Sequence, residues 1–189
     1  LGAVAVSGSS EVGGFAGYNG GTISESFTSS NVAGAGNYMG GFVGNNWGGT
    51  IRNASATGSV DSTLNFVGGF VGQNNGSITN ATAQINIPSA TTGYGVQGAS
   101  SVGGFIGYSY GGTVTNSYAR AAVRGTAASA SAVGGFVGRI DGGTLTQSGS
   151  YGTVAGAMQV GGFAGWMVNG NVTKSFANSA VTETSASGT

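Results

Sequence analysis

The chain has 189 residues, 41 of them glycine, and only ten charged side chains, five of each sign. A neutral balance of this kind builds no electrostatic footprint for nucleic acid or an anionic membrane. The lack of histidine and cysteine removes the commonest acid–base group, the thiolate nucleophile and the usual ligands of structural zinc.

With 39% apolar and 10% aromatic residues the chain can still bury a core. No apolar run reaches the length of a bilayer span, so no membrane insertion is expected. A start at Leu1 without initiator Met or charged leader is that expected of a processed chain or an excised piece.

Internal repetition organises everything that follows. The tetrad Val/Met-Gly-Gly-Phe begins at Val12, Met39, Val67, Val102, Val133 and Val160. Each of its phenylalanines, Phe15, Phe42, Phe70, Phe105, Phe136 and Phe163, is followed by a small or β-branched residue and a glycine. A second apolar column comes eight or nine residues later at Ile23, Ile51, Ile78, Val114, Leu145 and Val172. A third, nine residues further, is expected at Val32, Val60, Ile87, Val123, Val154 and Val181. The elastic part lies between the third column and the next tetrad. The insertion from Asn86 to Ser101 must loop out there, which makes Tyr94 a contact candidate.

Glycine pairs every dozen residues and an excess of Val, Ile, Thr, Phe and Tyr argue against helices. Three short strands per unit, separated by Gly-Gly or Gly-Asn turns, form one rung of a parallel β-solenoid. The fold expected is therefore all-β, a single domain over 1–189 with about six rungs and a length on the order of 30 Å. Three residues beyond the second column stand Ser26, Ala54, Ala81, Ser117, Ser148 and Ser175, and five beyond it Thr28, Ala56, Ala83, Ala119, Ser150 and Ala177. Alternation of small residues marks a strand facing a narrow part of the core. The position between them, from Phe27 through Ser55, Thr82, Tyr118 and Gly149 to Phe176, varies as a solvent-facing site does. Two residues beyond the second column lies an amide column, Asn53, Asn80, Asn116 and Gln147, bounded by Glu25 and Lys174, and stacked amides form ladders along such an axis.

The run Gly41-Phe42-Val43-Gly44-Asn45, followed by Gly49-Thr50-Ile51-Arg52-Asn53-Ala54-Ser55-Ala56-Thr57-Gly58-Ser59-Val60, resembles the GLUG repeat. Similar copies surround Phe70 and Phe105. The family usually shows Leu where this chain has Phe, and Tyr where Ser55 and Thr82 stand. The resemblance implies a β-helical rod, a place in a large bacterial secreted or surface protein such as a filamentous-haemagglutinin-like adhesin, and no catalytic residue.

The acids are Glu11, Glu25, Asp61, Asp141 and Glu183, and their registers do not form the paired carboxylates of a glycosidase. Strings such as Val12-Gly-Gly-Phe-Ala-Gly17 lack the following helix and lysine of a phosphate loop. The Gly/Asp nonapeptide of calcium-binding β-rolls is missing. No cofactor, metal or catalytic residue is expected.

Two surfaces remain as candidates. Thr22, Thr50, Thr79, Thr113, Thr115, Thr144, Thr146 and Thr173 flank the second column in an approximate Thr-x-Thr ladder, the type of array that ice-binding solenoids present. Tyr18, Trp47, Tyr108, Tyr110 and Trp166 follow the Phe strand and form a possible contact stripe for carbohydrate or a protein partner. The resulting expectation is a non-enzymatic extracellular or cell-surface bacterial protein, structural or adhesive. Its partners would be further copies end to end, a longer flanking chain, or a surface glycan or host partner. Ice binding and carbohydrate binding are the alternatives.

Overall fold

The computed structural model describes residues 4–85, 93–128 and 131–184. All regular structure in them is strand. The strand pairings are parallel, and each coil lies on its own equivalent one repeat away. On the first face Val43, Val71, Ile106, Val137 and Ala164 stand in one column. On the second, Ile51 pairs with Ile78, Val114 with Leu145, and Leu145 with Val172. The chain is a parallel β-solenoid of about six turns, as the repeat predicts.

The third face corrects one expectation. Its column runs Val6, Val32, Val60, Val96, Val123, Val154 and Val181. Val96, and not Ile87, sits between Val60 and Val123, and Ile87 itself lies outside the described residues. Ile85 still pairs with Gly58, so eleven residues separate positions that two separate in the neighbouring coil. The excursion therefore leaves mid-strand, before the third column, and Val96–Gly98 has returned to the sheet. The spacing of nine reaches Ile87 by coincidence of composition: an apolar residue stood at the counted position while the strand took its valine from beyond the loop. Val6, in the strand Val4–Gly13, adds a seventh member that precedes the first tetrad.

The core is a set of axial stacks. Phe42, Phe70, Phe105 and Phe136 are fully buried. From Phe15 to Phe163 successive ring centroids lie 4.9, 4.8, 4.8, 4.7 and 4.9 Å apart, nearly parallel. That separation equals the inter-strand spacing, so one stacking geometry repeats at every coil. The tetrad glycines permit the tight corner before each ring: a Cβ on Gly68 would sit 2.0 Å from the Val71 carbonyl oxygen.

Left-handed backbone turns the other corners. Glu25, Asn53, Asn80, Asn116, Gln147 and Lys174 all have φ between 49° and 53°, a conformation that asparagine tolerates better than most residues. A second set, Glu11, Tyr38, Phe66, Ser101 and Gln159, precedes the tetrad with φ from 50° to 61°.

Candidate functional site

The first face carries the aromatic residues. Tyr18, Asn45, Gln73, Tyr108, Arg139 and Trp166 occupy one column, a single residue per coil. Trp47 and Tyr110 stand two residues further along, in the turn, where Asn75 and Asp141 occupy the same position of other coils. The expected stripe is thus two adjacent columns, interrupted by amides and by an ion pair.

Contacts along the axis nevertheless join most of it. Tyr38 stacks on Phe66 at 5.3 Å, and Phe66 meets Tyr108 at 5.1 Å. Tyr108 meets Tyr110 at 6.0 Å, and Tyr110 stacks on Trp47 at 6.0 Å. The Arg139 guanidinium lies 5.5 Å from the Tyr108 centroid and 4.6 Å from that of Trp166. Tyr38 and Phe66 are left-handed corner residues, and an aromatic directly before the tetrad occurs at these two copies only, too few to mark a column along the chain.

Arg139 is held by Asp141 through two hydrogen bonds, Nε to Oδ1 at 3.1 Å and Nη2 to Oδ2 at 2.7 Å. The Tyr108 hydroxyl donates to the same Oδ2 at 2.8 Å. Burial, with the hydrogen bond and the charge of Asp141, pushes the Tyr108 hydroxyl up to about 12. Burial by itself would raise the Asp141 carboxyl, but the hydrogen bonds from Arg139 and Tyr108 and the guanidinium charge outweigh it and hold the carboxyl below its ordinary value.

A buried amide ladder positions this face. Asn19 Nδ2 donates to Asn46 Oδ1 at 2.8 Å, and Asn46 Nδ2 to Asn74 Oδ1 at 2.7 Å. Each asparagine also closes its own turn: Gly21 N–H donates to Asn19, Asn46 donates to the Gly49 carbonyl, and Gly76 N–H donates to Asn74. The turn that carries Trp47 is fixed from beneath in this way. Ser109 ends the ladder, and Ile140 then Met167 continue the column with apolar side chains.

The second face holds the threonines in two registered columns. One runs Thr22, Thr50, Ser77, Thr113, Thr144, Asn171 and the other Ser24, Arg52, Thr79, Thr115, Thr146, Thr173. All eight threonines singled out above fall in these columns. Thr113 Oγ1 donates to Ser77 Oγ and Thr173 Oγ1 to Thr146 Oγ1, each at 3.2 Å. The corner beyond them bears the outer amide ladder, with Asn80 Nδ2 donating to Asn53 Oδ1 at 3.1 Å and Asn116 Nδ2 to Asn80 Oδ1 at 2.8 Å.

One solvent-facing expectation needs correction. Gly149 is buried, because the Phe176 ring of the next coil lies over it; a Cβ there would meet that ring at 2.4 Å. The outward column is therefore partly filled by its own neighbours and not by water alone.

The family model for the GLUG motif matches residues 35–61, 67–87 and 98–124. The chain carries GLUG repeats. The three matched GLUG segments cover the tetrads at Met39, Val67 and Val102, and the remaining coils follow the same register in the structure. No curated protein and no solved structure matches the chain.

Proposed function

We propose that these GLUG coils form a non-enzymatic structural or adhesive rod of an extracellular bacterial surface protein, and that the rod associates end to end. The observation that carries the reading is the contrast between inner and outer coils. The inner phenylalanines of the stack are fully buried whereas Phe15 at one end is 48% exposed, and Val123 and Val154 are buried whereas Val181 at the other end of their column is 48% exposed. Apolar surface of this kind, bordered by open strand edges, favours a further layer.

The two ends are also complementary by column. Phe15 and Phe163 terminate the ring stack, Phe27 and Phe176 share the outward column, and Glu25 and Lys174 occupy the same left-handed corner with opposite charge. Between them the corner carries only neutral amides. The third face has seven strands among the described residues and the other two have six, so flush contact on all faces requires one outer strand of the third face to give way. Two of the carboxylates have structural partners: Asp141 holds Arg139 and Tyr108, and Glu11 accepts from Asn45 Nδ2 at 2.9 Å.

Sedimentation and electron microscopy over a concentration series test this. End-to-end rods that lengthen with concentration are expected. Glu25→Lys and Lys174→Glu should each shorten them and the double reversal should restore them, by a few-fold, since an exposed pair is worth roughly 0.2–1 kcal/mol. Discrete single rods at every concentration refute the association. The registered Thr113, Thr115, Thr144 and Thr146 support a second reading, ice binding, which an absence of both thermal hysteresis and crystal shaping would remove.

A further inference from the structure

We infer that the outer side of the third face binds an anionic glycan, a polysaccharide bearing carboxylates along its length, through Arg120 and Arg124. An open groove of ≈ 500 Å³ lies there, lined by Arg120, Ala121, Ala122, Tyr151, Gly152 and Thr153. Gly152 has φ 126°, and a Cβ on it would lie 2.1 Å from the Ala121 carbonyl oxygen, so the position admits no side chain.

Strand alternation turns Arg120, Ala122 and Arg124 outward from Tyr118–Gly125, with the two arginines about 13 Å apart along the strand. Each guanidinium lies over a tyrosine, Arg120 at 4.5 Å from the Tyr151 centroid and Arg124 at 5.5 Å from that of Tyr94. Tyr94 closes the excursion just before the chain re-enters the sheet, where Gly95 N–H donates to the Ala122 carbonyl at 2.9 Å.

Charge decides the ligand. All five acidic side chains lie in described residues, and the one ion pair among those residues is Arg139 with Asp141. Among the described residues Arg120 and Arg124 therefore have no carboxylate partner. A guanidinium stacked on an aromatic ring keeps its edge N–H donors free for a carboxylate. The tyrosine rings beside them offer flat apolar surface to the C–H faces of sugar rings.

An acidic peptide fits less well. Tyr118–Gly125 is paired on both sides, with Ser77–Ile85 and Val96–Gly98 on one and Gly149–Gly156 on the other, so a peptide finds no free strand edge to add to. This inference does not depend on end-to-end association, because the groove lies within a single rod.

Isothermal titration of monodisperse protein with oligogalacturonate, hyaluronate, a neutral cello-oligosaccharide and poly-glutamate tests it. Binding of a uronate glycan, weakened by salt, with little response to the neutral sugar is expected. Arg120→Gln and Arg124→Gln should each weaken it roughly tenfold, while Arg52→Gln on the second face leaves it unchanged. Circular dichroism of every variant confirms the fold. No binding of either uronate overturns the inference, as does binding that survives both arginine substitutions, that is lost on Trp47→Ala instead, or that poly-glutamate matches.

Discussion

Asn46→Ala removes the middle of the buried amide ladder, and its cost can be worked from the partners left behind. Asn46 is fully buried, accepts from Asn19 at 2.8 Å, and donates to Asn74 at 2.7 Å and to the Gly49 carbonyl at 3.3 Å. After substitution the Gly49 carbonyl still receives Ser77 N–H at 2.9 Å, and Asn74 Oδ1 still receives Gly76 N–H at 3.3 Å. Asn19 Nδ2, in a side chain only 6% exposed, loses its acceptor. One orphaned buried donor costs ~1–3 kcal/mol, and the lost bonds and side-chain volume add about 1–2, so about 2–5 kcal/mol is expected. Asn53→Ala is the contrast. Asn53 is exposed, and the Asn80 amide it frees returns to water, which leaves about 1 kcal/mol for alanine at φ 51°. Urea unfolding followed by circular dichroism reads both as midpoint shifts at constant slope. If Asn46→Ala costs no more than Asn53→Ala, the ladder is not what fixes the first face.

The ring stack and the ion pair give two more predictions. Phe70→Ala, with stacked rings on both sides, should destabilise by about 4–6 kcal/mol, and Phe15→Ala, half exposed with one neighbour, by about 1–2; equal shifts in thermal midpoint would refute nearest-neighbour stacking. The raised Tyr108 hydroxyl stabilises the fold fully below its ordinary value of 10.0, and that contribution is lost as pH rises towards about 12. The lowered Asp141 carboxyl contributes above its ordinary value of 3.8, and its contribution is lost as pH falls through the lower folded value. Asp141→Asn should bring the Tyr108 hydroxyl part of the way back, since burial remains, and should weaken the acid-side loss; an ultraviolet titration of tyrosine that does not move would contradict the assignment.

The registers of Phe, Ile and Val, the narrow small-residue strand and the outer amide ladder were all legible, because a solenoid writes each axial column as a sequence period. Two kinds of feature escaped. Val96 was hidden because counting along the chain cannot tell which apolar residue resumes the sheet after an excursion. Tyr38, Phe66 and the Asn19, Asn46 and Asn74 ladder recur in only two or three copies, too few to stand out as columns before the coils are stacked.

That one coil repeats, and which residues share a column, is written in the period of the chain, since identical layers bonded along an axis need identical positions at a fixed spacing. What lies between columns emerges only once the coils are stacked: that Arg139 spans Tyr108 and Trp166, that Phe176 covers Gly149, and that among the described residues Arg120 and Arg124 stand without a carboxylate. Such neighbours sit on different coils and in different registers, and their meeting depends on side-chain direction at the corners, which no period along the chain encodes.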